Sequence, residues 1–211
     1  MATFEIHLRD LSRHMVAAWQ EAFADVPGVS ISQGDIFSAQ PGPLRDNAPI
    51  DIMADAVVSP ANSFGFMDGG IDAVYTHQFG FGLEERLQAL LAAEHGGELP
   101  VGGAVIVETG SEAIPWCVSA PTMRVPEPVP DTVNAYLAFR AALRAVLAHN
   151  AAGHRPIQRV LCPGLATTTG RMPHDRCAAQ MRIAWDSVLG DGPPRRMTWH
   201  AVADLHRRLL A

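Results

Sequence analysis

Residues 54–72 read ADAVVSPANSFGFMDGGID, and this stretch decides the fold. Ala54–Ser59 is a short, mostly apolar run of strand length, stopped by Pro60, and it predicts a buried strand. Asn62–Gly70 predicts a glycine-rich loop, and the segment from about Ile71 towards Gly80 predicts a helix. Strand, loop and helix in that order form the repeating unit of a layered α/β domain.

Working outward, the same alternation runs along the chain. Phe4–Leu8 and Val29–Gln33 predict strands around an amphipathic helix at 11–24, whose inner face is Leu11, Met15, Ala18, Trp19 and Ala22. Beyond the central stretch, Leu83–His95 predicts a helix and Ala104–Glu108 and Trp116–Ala120 two strands. Pro121–Pro130 carries four prolines and predicts a stiff extended connection. Asp131 is placed to cap a long helix, Thr132–Asn150. Arg159–Cys162 is the last predicted strand, and helices follow at 174–189 and 198–210. Residues 38–51 form a polar, proline-rich segment of loop character. With no internal repeat and no linker, residues 1–211 are expected to fold as one domain.

Composition narrows the chemistry. Of 211 residues, 18% are charged, below the roughly 25% usual for soluble domains, so much of the chain must pack. The formal charge is −6, and all sixteen basic residues are arginine. Without lysine there is no GxxxxGK[ST] phosphate loop, no Schiff-base amine and no SxxK acyl-transfer site. An acidic chain is also poorly suited to sequence-independent capture of nucleic acid, and no such partner is expected. Cys117, Cys162 and Cys177 are odd in number and far apart, so neither a disulfide framework nor a zinc site is expected. The N-terminal MATFEIHLRDLSRH lacks the apolar run of a signal peptide, and no segment approaches the ~20 apolar residues of a membrane span. A cytoplasmic location is the expectation.

Three segments carry candidate chemistry, and each begins where a predicted strand ends. Ligands of open α/β sheets collect at the carboxyl ends of strands. The segments are Gln33-Gly34-Asp35-Ile36, then 59–72, then 163–173 (PGLATTTGRMP). Gly69 and Gly70 precede a helix, so their N–H groups are free to meet an anion at the helix N-terminus. The third segment repeats that pattern with small and hydroxyl residues. Facing each other, two such loops would grip a diphosphate without lysine. His77, His95 and His174 have no recognisable partner, and Cys117 and Cys162 lie in apolar runs suited to packing.

Together these residues resemble the macro domain family, which binds ADP-ribose. The resemblance covers about Val29 to Arg182. It rests on Asp55-Ala56-Val57-Val58-Ser59-Pro60-Ala61-Asn62, similar to the family's D-A-[IV]-V-N-x-A-N, on Gly69-Gly70-Ile71-Asp72 with Gly80, and on Gly34-Asp35-Ile36. It implies an α/β fold, a three-layer α/β/α domain with a twisted mixed sheet between helices. Residues 1–28 would then be an N-terminal strand-helix addition, and 38–51 an insertion. By the same resemblance, Asp35 would accept from the adenine amino group and the Ile36 N–H would support the ring. Asn62 would bind the distal ribose, and Gly69, Gly70 and Ile71 would hold one phosphate through their amides. Thr167, Thr168, Thr169 and Gly170 would hold the other, while Arg171, on its own chemistry and not from the resemblance, would be the one basic side chain to donate to a phosphate. Asp72 would orient or activate a water, making Asn62 and Asp72 the catalytic candidates, with neither metal nor cofactor.

The chain departs from the family pattern at named positions. Ser59 replaces the usual asparagine. Thr168 stands where the third loop has glycine, which matters if that position needs φ > 0, and Gly170 and Arg171 replace an aromatic-glycine pair. Three functions stay open at this level. One is hydrolysis of an ADP-ribosyl bond, either removal of ADP-ribose from protein or cleavage of an ADP-ribose phosphoester. The others are recognition of ADP-ribose or ADP-ribosylated protein without turnover, and an assembly or structural role with a vestigial cleft.

Overall fold

The computed structural model describes residues 4–38, 50–190 and 196–211. Most of the proline-rich segment, residues 39–49, lies outside the described residues. Six strands form one mixed sheet: β1 (Glu5–Asp10), β2 (Val29–Gln33), β3 (Ala56–Ser59), β4 (Val105–Glu108), β5 (Trp116–Ser119) and β6 (Arg159–Cys162), in the order β2-β1-β6-β3-β5-β4. Every pairing is parallel except β4 with β5. The N-terminal strand β1 lies between β2 and β6, inside the sheet.

Side chains alternate across the sheet, and each face finds its own helices. Ile6, Leu8, Ala56, Val58, Val118, Val160 and Cys162 pack under α1 (Arg13–Ala22), α4 (Asn134–Ala151) and α5 (His174–Val188). Val57, Cys117 and Leu161 face the other way, towards α2 (Gly70–Phe79) and α3 (Gly82–His95). Leu83, Leu87 and Leu91, four residues apart, form the fully buried stripe of α3. All three cysteines are free and buried. A three-layer α/β/α sandwich with a mixed central sheet is the result, as the family resemblance implies.

One capping expectation is corrected. Asp131 does not start the long helix. The helix begins at Asn134, after Val133, and Asp131 instead accepts from the Arg176 guanidinium at 3.0 Å. Thr132 bonds the Val129 carbonyl, and that turn delays the helix by two residues.

The C-terminal helix α6 (Trp199–Leu210) is fastened by a buried amide. Gln180 on α5 donates to the Thr132 and Leu209 carbonyls and accepts from the Tyr136 N–H, so one side chain joins α4, α5 and α6. Gln180→Met keeps the volume but strands these backbone groups. At ~1–3 kcal/mol for an unpaired buried group, the variant is expected to lose about 3 kcal/mol. Urea denaturation checks it, and a loss under ~1 kcal/mol would show that water takes over the three bonds.

Candidate functional site

The parallel strands β1, β2, β3, β5 and β6 all end at one edge of the sheet, and a cleft of about 430 Å³ opens there. That volume falls within the range of small-ligand sites. Its walls come from the loops after β1, β2, β3 and β6 and from the start of α2.

One wall is built on 60–72. Gly69 is the N-cap of α2, with no side-chain cap, and no atom stands within 4 Å of where its Cβ would be. The N–H groups of Gly69, Gly70 and Ile71 have no acceptor among the described residues. All three residues line the cleft at a helix N-terminus, where the dipole favours negative charge.

A second wall is 163–170. Thr167, Thr168, Thr169 and Gly170 all line the cleft, and their N–H groups have no acceptor among the described residues. Gly170 must be glycine: a Cβ there would lie 2.4 Å from the Ala166 carbonyl oxygen and 2.9 Å from Val129. The left-handed backbone positions fall on Ala166 (φ 61°) and Arg171 (φ 53°), so Thr168 carries no such strain. Arg171 is exposed and lies outside the cleft lining. The tight turn around Gly170 and the reversal at Arg171 send that side chain to solvent.

Asp72, in the first turn of α2, lines the cleft and is 7% exposed. The buried Ser59 hydroxyl donates to its Oδ1 at 2.6 Å. Burial pushes the Asp72 carboxyl up to about 7, and the Ser59 bond opposes that rise. Behind it, Tyr75 donates to the Val58 carbonyl at 3.0 Å and ties α2 to β3. Burial drives the Tyr75 phenol and the Cys117 thiol upward, so both stay neutral.

Asn62 also lines the cleft, but its side chain works within its own loop. Its amide donates to the Phe66 carbonyl at 2.8 Å, and its oxygen accepts from the Phe64 and Phe66 N–H groups. Asp35 does likewise, accepting from the Phe37 and Ser38 N–H groups, while Ile36 beside it lines the cleft and Asp35 does not. Both side chains thus shape a wall through local turn bonds.

Two cleft residues were not singled out in the sequence, where the first strand was ended at Leu8. β1 runs on to Asp10. Arg9, 7% exposed, reaches the cleft and donates to the carbonyls of Asp35 (2.6 Å) and Ser38 (2.7 Å) and to the Ser32 hydroxyl. Gly34 makes room for it, since a Cβ there would meet the guanidinium at 2.4 Å. Asp10 accepts from the Ser12 and Gly164 N–H groups and joins the loops after β1 and β6. The strand alternation Ile6, Leu8 against His7, Arg9 was the available signal, because it places Arg9 on the other face at a carboxyl end. Among the described residues no cluster of three or more His, Cys, Asp or Glu suits a metal, and no helix is long and apolar enough to cross a membrane.

Comparison with known proteins shows the family and the fold. The Macro domain family model matches residues 58–181, and the chain belongs to that family. An uncharacterized protein of Aeropyrum pernix is 33% identical over 142 residues, 67% of this chain and 69% of that one. Another from Aquifex aeolicus is 30% identical over 131 residues, 62% and 72% of the two chains. Among solved structures, a glycine-to-valine mutant of the Oceanobacillus iheyensis macrodomain with ADPR aligns at TM-score 0.55 and 18% identity, covering 66% of this chain and 73% of that one. The macrodomain of Mycobacterium tuberculosis DarG gives the same TM-score and identity, covering 74% and 88%. At that identity the structures share the fold.

The elevated Asp72 carboxyl has a stability consequence. Its unfolded value is near 3.8 and its folded value about 7, so between them the native state holds a proton that the unfolded chain releases. This contribution is full below pH 3.8 and is lost as pH rises through 7, by on the order of 4 kcal/mol. Asp72→Asn keeps an acceptor for Ser59 and carries no charge. Its stability relative to the parent is therefore expected to climb between pH 4 and 8 in urea denaturation. A difference independent of pH would mean that the carboxyl ionises normally.

Proposed function

We propose that the cleft binds ADP-ribose, free or attached to a protein, and cleaves the bond that links the distal ribose to its substituent. The observation that carries this reading is the pair of amide rows without acceptors among the described residues, Gly69–Ile71 and Thr167–Gly170, lining one cleft with the buried Asp72 carboxyl. Each row suits one phosphate of a diphosphate, because a backbone N–H gives a directed donor where no lysine exists. Their separate loops suit a ligand with two linked phosphates. Membership in the Macro domain family and the likeness to macrodomain structures with ADPR or ADP support the same choice. Ile36 and the neighbouring turn at Asp35 would receive the base, and Asn62 the distal ribose, through the one amide hydrogen its loop bonds leave over.

The chemistry assigned to Asp72 follows from its surroundings. A carboxyl that titrates near 7 is a base matched to neutral pH. In the ionised form it takes a proton from a water whose oxygen forms the new bond to the ribose carbon. The bond to the substituent breaks, and its electron pair leaves with, for example, the carboxylate of an acidic side chain. Asp72 lines the cleft and is held by a serine, not an arginine, which favours this role over a structural ion pair. One observation favours recognition without turnover: the Asn62 carbonyl is committed to Phe64 and Phe66 and is not free to orient the ribose.

Calorimetric titration with ADP-ribose tests the site. Gly69 has extended backbone and open space at its Cβ, so Gly69→Val adds bulk in the cleft without straining the chain. The variant is expected to unfold at the parent's temperature while binding at least ~10-fold more weakly, about 1.4 kcal/mol. No heat with the parent at millimolar ligand refutes the reading. For turnover, release of ADP-ribose from an ester-linked ADP-ribosylated protein is expected to fall ~100-fold or more in Asp72→Ala. Undiminished release removes the base role, and binding without release by the parent establishes the recognition module.

A further inference from the structure

We propose that Ser59 is a positioning residue for Asp72: its hydroxyl pins one carboxylate oxygen to the end of β3 and leaves the other for the cleft. This rests on the function proposed above. Ser59 is fully buried on the last position of β3, where it pairs with Ser119 of β5 and its carbonyl accepts from the Ala120 N–H at 2.9 Å. The backbone carrying the hydroxyl is therefore fixed on the sheet, and only one torsion lies between it and the oxygen. That oxygen donates to Asp72 Oδ1 at 2.6 Å, within the short range of charge-assisted O–H···O⁻ bonds. Oδ2 has no hydrogen-bond partner among the described residues, and Asp72 is part of the cleft wall. The helix that carries Asp72 is held to the same strand by the Tyr75 bond to Val58, so both ends of the contact are rigid.

The polar groups around Asp72 assign the same role. From β3 comes Ser59, from α2 itself Tyr75, and from β5 Cys117; the last two are neutral and their charges would only repel a carboxylate. None of these groups is a cation. Ser59 is the group whose hydrogen bond favours the ionised Asp72, against the burial that disfavours it. A serine at this position, in place of the family's usual asparagine, supplies a short donor able to stabilise the anion.

The test uses the full chain with ¹³C-labelled aspartate carboxyls, the Asp72 resonance being assigned by its disappearance in Asp72→Asn. Without ligand, the Asp72 titration midpoint is expected to rise by ~1 pH unit in Ser59→Ala and to return close to the parent value in Ser59→Thr, which restores the hydroxyl. Circular dichroism and thermal unfolding identify the folded variants, and Ser59→Cys, a weaker donor with a midpoint between those of parent and alanine, serves if threonine does not fold. A midpoint unchanged in folded Ser59→Ala overturns the proposal, as does an equal rise in the hydroxyl-bearing variant. In turnover of an ester-linked ADP-ribosylated protein, the acid limb of the kcat profile is expected to move up by the same ~1 unit in Ser59→Ala, with ADP-ribose affinity kept within ~3-fold. An acid limb that stays put while the carboxyl moves also overturns it. Absence of ADP-ribose binding by the parent refutes the cleft function instead, and is read separately from the titration.

Discussion

A backbone N–H left without a partner in a folded protein is expensive, on the order of 1–3 kcal/mol when buried, and this chain meets that constraint with its acidic and amide side chains. Asp10 closes the loops after β1 and β6 through Ser12 and Gly164. Asp35 closes the turn after β2, Asn62 the loop after β3, and Asp55 the entry to β6 through Gln158 and Arg159. The carboxylates that shape the sheet ends thus accept from the main chain, while ion pairs such as Arg124–Glu98 and Arg207–Asp204 sit at the surface. Against that background, the amides of Gly69–Ile71 and Thr167–Gly170 stand out because nothing among the described residues accepts from them, and all seven residues border the cleft.

That contrast is how a lysine-free, acidic protein would hold the anion proposed for its cleft. Net charge of −6 repels an anion at long range, but screening confines that effect to about 8–10 Å. Close in, the oriented amides and the α2 dipole act at hydrogen-bond distance. Among the described residues, Arg9 is the one basic side chain in the cleft wall, and three of its donors are already occupied. Its part is to hold the turn at Asp35 and Ser38 in place while contributing a fixed positive charge. The guanidinium suits this because its fork of donors spans several acceptors at once.

Much of this was legible in the sequence, for reasons that differ by residue. Strands β3 and β6 are read from their short apolar runs, because burial leaves a pattern that needs no partner to interpret. That Gly69, Gly70 and Asp72 sit at the start of α2 on the cleft is read because a helix start and its loop are local in sequence. Arg9 was missed because its role depends on Ser32, Asp35 and Ser38, more than twenty residues away. The start of α4 was misplaced because Asp131 had a competing partner, Arg176, that only the fold brings near. Arg171 carried the expected charge, yet the turn that Gly170 permits directs it outward. Nor could Thr168 be judged from sequence, since which residue of a loop takes φ > 0 depends on how its ends are held; here Ala166 and Arg171 take it.

Asp72 shows how burial bears on the function proposed for one group. Leaving it ionised beside two neutral, deeply buried neighbours is unfavourable, and Ser59 offsets that only in part. A carboxyl far below neutrality would hold a full negative charge on the wall that the proposed anionic ligand would approach. One poised near 7 is partly protonated there, so repulsion would be reduced for the proposed diphosphate, and by linkage a bound anion would draw the proton on more firmly. The same coupling sets a limit: the ligand's charge raises the pH at which the carboxyl becomes a base. A site of this construction therefore needs a donor that favours the anion without adding a mobile cation to compete for phosphate. A buried serine hydroxyl on the sheet meets both conditions, and a lysine in its place would meet neither.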